Sequence, residues 1–84
     1  MIAAKRLEKL GYENVIVFDT PSYDEALIGV SEDNRAVYDY DKMFIWLAVT
    51  WGISREDAIE WVEYNTLRAL PYCGEAAPIV MRRI

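Results

Sequence analysis

Glu56, Glu60 and Glu63 recur at intervals of four and three residues within the run from Ile53 to Tyr72. On a helix that spacing sets three carboxylates on one side. Carboxylates can divide acid and base roles in a hydrolase, but no spacing in this chain specifies the fixed separation that such a pair needs. A carboxylate stripe can instead engage the arginines and lysines with which another protein holds nucleic acid. Complementary charge there gives fast, specific encounter. Solvation of an outer helix face is the plain alternative. Asp39 and Asp41, with Glu32 and Asp33, can extend the negative field if the turn that carries them lies nearby. They also offer hard oxygens to a divalent ion, yet their order does not reproduce a calcium loop, and two turns account for the same residues.

Other reactive side chains are few. Histidine is absent and Cys73 is the single cysteine, so neither a zinc constellation nor a cysteine–histidine pair can be assembled. A small residue in a turn after a helix explains Cys73. The four glycines stand singly at element junctions and form no phosphate cradle. Arg82 and Arg83 are a poor nucleic-acid footprint and are expected to be solvated or to pair with an acidic neighbour. Tyr38, Tyr40, Tyr64 and Tyr72 combine an aromatic body with a polar rim, the combination common in binding hot spots, but they can equally cover the edges of a small core. Asn65 and Thr66 suit structural hydrogen bonds within a helix. The chain is expected to be neither an enzyme nor a carrier of cofactor or metal.

The elements that must position these groups emerge from period and punctuation. Residues 2–10 read as a short helix with Ile2, Ala3, Leu7 and Leu10 to one side, closed by Gly11. Val15-Ile16-Val17-Phe18 is a β-branched strand candidate bounded by Asp19-Thr20-Pro21-Ser22. Residues 26–30 and 35–38 flank the turn residues Ser31-Glu32-Asp33-Asn34, a predicted β-hairpin. Aspartate at 39 or 41 then introduces a helix over about 41–51 that ends at Gly52. Met43, Phe44, Leu47, Ala48 and Trp51 give it a broad apolar side, and Ile45, Trp46 and Val49 carry apolar character around it. A helix apolar all round is central in its fold or covered by a partner. After Ile53, Ser54 caps a third helix with Asp57 at the N3 position, and Ala58, Ile59, Val62, Thr66, Ala69 and Leu70 supply its core seam. Pro71 and Gly74 close it, and Pro78 to Ile84 can return as a strand. The expected fold is α+β, a small three- or four-stranded antiparallel or mixed sheet packed by three helices in one domain spanning residues 1–84.

With 84 residues and 54% apolar content the chain can bury an adequate but thin core. Fourteen acids against nine bases give a formal charge of −5, which opposes binding to nucleic acid or an anionic membrane and favours a basic protein surface. No apolar signal region follows Met1, and the apolar run from Met43 to Val49 is too short to span a bilayer, so a reduced cytoplasm is the expected compartment.

Gly29-Val30-Ser31-Glu32-Asp33, Val37-Tyr38-Asp39-Tyr40-Asp41, Asp57-Ala58-Ile59-Glu60-Trp61 and Tyr64 to Tyr72, with Gly74-Glu75 and Ala77 to Met81, resemble small proteins of phages and mobile elements of Gram-positive bacteria. The resemblance covers most of the chain and brings no catalytic residues with it. It implies an accessory role in a bacterial host cytoplasm, including inhibition of a host defence complex such as a CRISPR effector. The expectation is therefore a small acidic inhibitor or adaptor that meets the basic surface of a bacterial nucleic-acid-handling protein and competes with nucleic acid there. Its expected contact residues are Glu56, Glu60, Glu63, Asp39, Asp41, Tyr38, Tyr40 and Tyr64. The alternative is a structural or regulatory phage protein that self-associates into a homo-oligomer through an aromatic face.

Overall fold

In the computed structural model, which describes residues 2–84 apart from the Ile2 side chain, a three-stranded sheet is packed by three helices. The first helix, α1, covers Ile2–Lys9. It ends in a Schellman turn: the Gly11 amide donates to Glu8 O at 3.0 Å, the Tyr12 amide to Leu7 O at 2.9 Å, and Gly11 adopts φ 90°. Ala3 and Leu7 enter the core, but Leu10, expected beside them, is 71% exposed because it lies past the last helical turn. The expectation for the Ile2 side chain falls outside the described residues.

Residues 15–18 form no strand. They form an irregular segment whose Val15, Val17 and Phe18 are partly buried against the core, and the sheet ladders do not include them. Strand propensity alone does not make a strand, which also needs a free edge in register, and this segment anchors through side chains instead. The Phe18 amide donates to the Tyr38 hydroxyl at 3.1 Å, and Asn34 Nδ2 donates to Glu13 O at 3.0 Å.

A 3-10 turn, Asp24–Ala26, leads into β1, Leu27–Val30, which pairs antiparallel with β2, Ala36–Asp39. The Ser31 amide bonds Arg35 O at 2.8 Å, and Asn34 takes the left-handed conformation at φ 63°, as a tight hairpin turn requires. A bulge between Leu27 and Gly29 restores register so that both Leu27 and its partner Tyr38 face the core. The third strand, β3, Ile79–Met81, lies parallel to β2, giving the order β1-β2-β3 and a mixed sheet.

Helix α2, Tyr40–Trp51, starts directly from β2. The Asp39 side chain accepts the Lys42 amide at 3.1 Å as its N-cap, and Gly52 ends it at φ 64°. Tyr40, Met43, Phe44 and Leu47 are buried, whereas Ile45 and Val49 are 50% and 79% exposed. The helix is covered on one side only. Trp51, also placed on the core side by its spacing, is 43% exposed and meets Trp61 edge-on at 5.0 Å.

Helix α3, Arg55–Trp61, is capped by Ser54 Oγ, which accepts the Asp57 amide at 3.1 Å. The helical path then widens into a π-helix, Val62–Leu67, and closes as a 3-10 turn, Leu70–Tyr72. Asn65 Nδ2 donates to Trp61 O at 3.0 Å, occupying the carbonyl that the Asn65 amide would use in an α-helix. Across the core the Tyr23 and Thr66 hydroxyls lie 2.6 Å apart. Tyr23 is fully buried, takes φ 49°, and joins Phe18 at 5.5 Å and Trp46 at 5.7 Å in a chain of aromatic rings. Among the described residues no helix is long and apolar enough to cross a membrane.

Candidate protein-binding surface

On the outer side of α3, Glu56 and Glu60 stand one turn apart and exposed, as their spacing requires. Ile59, Glu63, Tyr64 and Arg68 complete a shallow depression around them. Tyr64 is 62% exposed, so both its ring and its hydroxyl are available at the rim. Among the described residues neither Glu56 nor Glu60 enters an ion pair. Arg68 sets one cation against the three carboxylates of the depression.

Glu63 is tied into the fold. Its Oε2 accepts the Tyr40 hydroxyl at 2.5 Å and an Arg82 nitrogen at 3.2 Å, and the Arg82 guanidinium lies 4.1 Å from the centre of the Tyr40 ring. The Tyr40 hydroxyl, then Arg82, hold the Glu63 carboxyl below its ordinary pKa against a smaller effect of burial. Burial, together with the hydrogen bond to Glu63, raises the pKa of Tyr40. The π-helix begins only at Val62, so Glu63 keeps the side that its spacing predicts and shares the depression with Glu56 and Glu60. Glu63 borders the depression while its charge is spent inside the molecule.

Four of the expected contact residues need correction or separation from this surface. Tyr38 is fully buried beneath Phe18, with ring centres 4.6 Å apart, and its hydroxyl already holds the Phe18 amide. Asp39 is fully buried at the start of α2, where its second oxygen accepts Arg83 Nε at 2.6 Å. Burial raises the Asp39 pKa, but the Lys42 amide and Arg83 together outweigh it and hold the carboxyl below its ordinary value. Tyr40 retains 8% exposure, with its hydroxyl committed to Glu63. These three lack the surface a partner would touch, because the β2–α2 joint passes through the core. Asp41 is exposed on α2 but does not line the depression, and neither do Glu32 and Asp33. Asp33 pairs with Arg35 at 3.7 Å.

The two arginines meet acidic neighbours, as expected from their position beside an acidic domain, although nothing in their spacing indicates which ones. Cys73 is exposed, and its thiol donates to Ala69 O at 3.4 Å in the closing turn. Among the described residues no group of three histidine, cysteine, aspartate or glutamate side chains converges on a point where a metal ion would sit. Ile59, expected in the core seam, is half-buried against the core and also borders the depression, while Arg68 carries no signal in the sequence beyond its helical phase. Comparisons with protein-family models, curated proteins and solved structures give no match, so the chemistry of this surface rests on its own residues.

Proposed function

We propose that this chain is a small protein-binding inhibitor or adaptor that presents the outer side of α3 to a basic protein surface in the bacterial host cytoplasm. One observation supports the reading above others: Glu56 and Glu60 are exposed, free of intramolecular ion pairs among the described residues, and adjacent to the exposed ring of Tyr64. Two neighbouring carboxylates attract arginine and lysine, and a rim tyrosine supplies contact area at small entropic cost. The partner class that fits is a nucleic-acid-handling protein, whose phosphate-binding residues the carboxylates engage in place of phosphate. Inhibition of a host defence complex is the specific form that the phage resemblance suggests.

The test is capture of host proteins on the immobilised chain, followed by competition with nucleic acid. A captured nucleic-acid-binding protein that duplex DNA or RNA displaces, and whose affinity falls about tenfold or more in an E56Q/E60Q double variant, supports the reading. Capture unchanged by that variant overturns it.

A further inference from the structure

A groove runs beside β1 and shares no residue with the α3 depression. The whole of β1, Leu27–Val30, lines it on one side, and Arg6, Leu10 and Tyr12 line it on the other. Side chains of consecutive strand residues point to opposite faces, so a depression that touches four in a row follows the strand edge rather than one face of the sheet. That edge is open, since β1 is terminal in the order β1-β2-β3. The Ser31 amide closes the hairpin on Arg35 O, and strand alternation then turns the backbone of Val30 away from β2 and into the groove. Leu27 O faces outward as well, where Arg6 Nη2 donates to it at 3.4 Å.

We propose that this groove takes an extended segment of a partner protein as a further strand beside β1, with an aspartate or glutamate of that segment against Arg6. Three observations select that occupant. Outward-facing amide and carbonyl groups along a sheet edge are matched by another extended backbone. Gly29 stands mid-strand outside the left-handed region, and a Cβ at that position would meet nothing within 4 Å. Neither backbone conformation nor crowding within the fold requires glycine there, whereas close passage of a second backbone does. The third observation is charge. Arg6 is the one charged side chain lining the groove, and it is exposed, bonded to the carbonyls of Asp24 and Leu27, and in no ion pair among the described residues.

The acids nearby do not cancel that cation. Asp24 commits Oδ1 to the Ala3 amide, Glu8 falls about 200° around α1 from Arg6, and neither Glu13 nor Glu32 lines the groove. Lys9, three residues after Arg6, adds a second exposed cation on the same side of α1. Leu10, Tyr12 and Ile28 are exposed along the groove and offer apolar contact to alternate side chains of the segment. The bulge between Leu27 and Gly29 bends β1 and blunts flush pairing with the same edge of a second copy, whereas a flexible segment can follow it.

Selection of a displayed library of random dodecapeptides on the immobilised full chain decides the matter. The expected binders carry aspartate or glutamate next to alternating apolar residues. Their affinity should fall about tenfold or more in R6E and in L10D, and stay unchanged in E56Q/E60Q. Leu10 is largely exposed, so lost binding in L10D with an unchanged thermal midpoint is not unfolding. N-methylation along a selected peptide should abolish binding at every second amide, as strand pairing requires, and bound peptide should slow exchange of the Val30 amide. A library that yields no binder overturns the proposal. Binders that lack an acid, that keep their affinity in both R6E and L10D, or that show no two-residue period on N-methylation overturn it too. Val30 protection that rises with protein concentration in the absence of peptide would assign the edge to a second copy and overturn it as well. None of these results bears on the α3 surface.

Discussion

Arg83 Nε donates across 2.6 Å to Oδ2 of Asp39, a carboxylate with no solvent exposure, and so fastens the chain beyond β3 to the joint between β2 and α2. The same carboxylate caps α2 through the Lys42 amide, which makes one side chain responsible for a helix start and for the return of the C-terminal segment. Asp39→Ala is expected to cost about 2–3 kcal/mol, the sum of a lost cap and a broken pair. Arg83→Ala should cost less, about 1–2 kcal/mol, because the Arg83 side chain is 58% exposed and water screens the pair. Urea-denaturation midpoints of the two variants and of the double variant measure the coupling. Additive costs would show that the pair contributes nothing.

The acid limb of the stability curve depends on the same groups. Asp39 and Glu63 both have folded-state pKa values below their ordinary ones. In the window between the lowered and ordinary values the unfolded chain binds more protons, so stability rises with pH there. The contribution is present above the ordinary carboxylate range, about pH 4. It is lost as pH falls through the lowered values. Asp39→Asn should flatten part of that limb. A denaturation series from neutral pH into acid reads the slope directly, and an unchanged slope in the variant would exclude Asp39 as its source.

At the alkaline end the sign reverses. Burial raises the pKa of Tyr23, Tyr38 and Tyr40. Above the ordinary tyrosine value, near 10, the unfolded chain loses protons that the folded chain retains, so stability falls as pH rises through the raised values. Tyrosinate absorbance from Tyr23, Tyr38 and Tyr40 should therefore develop only as the fold is lost. A Tyr23→Phe, Tyr38→Phe or Tyr40→Phe variant with less tyrosinate absorbance than the parent at about pH 10, both with the fold intact, would contradict this.

The hydroxyl pair between Tyr23 and Thr66 ties the entrance of the 3-10 turn to the π-helix. Tyr23→Phe leaves Thr66 Oγ1 buried without that partner and should cost about 1–2 kcal/mol. Thr66→Val alone should behave similarly. The double variant is expected to recover much of the loss, since removing both polar groups leaves no orphan. A double-mutant cycle by chemical denaturation gives the coupling, and strict additivity would show that the two groups act independently.

Local chemistry is the legible part of this chain. Asp39, Ser54, Gly11 and Gly52 mark helix ends by mechanisms confined to a few residues, and the hairpin turn at Ser31–Asn34 is equally local. Residues 15–18 mislead because β-branched composition records a preference for extended backbone, whereas pairing depends on where the sheet edges fall. The π-helix leaves no mark in apolar spacing, since Val62 and Thr66 are buried on either pitch. The candidate surface is half legible: helical spacing sets Glu56, Glu60 and Glu63 around one depression, but nothing local marks the bonds by which Glu63 meets Tyr40 and Arg82, 23 and 19 residues away in sequence. Hydrogen exchange separates the paired strand from the unpaired segment. Amides of β2, held in ladders on both sides, should exchange far more slowly than those of residues 15–17, which have no backbone ladder.

If Glu56 and Glu60 serve a partner rather than the fold, neutralising them should leave stability intact or improve it. They repel one another at four-residue spacing by a few tenths of a kcal/mol, and among the described residues no ion pair compensates. Both stand in or near the first two turns of α3, where the helix dipole favours negative charge and offsets part of that repulsion. The E56Q/E60Q variant should therefore unfold within about 0.5 kcal/mol of the parent. Glu63→Gln should differ, because it weakens the bonds to Tyr40 and Arg82 that hold the C-terminal segment against the π-helix. Thermal melts of the two variants side by side make the comparison. A large loss in E56Q/E60Q would mean that these carboxylates support the fold through contacts absent from this structure, and the case for α3 as a recognition surface would fall with it.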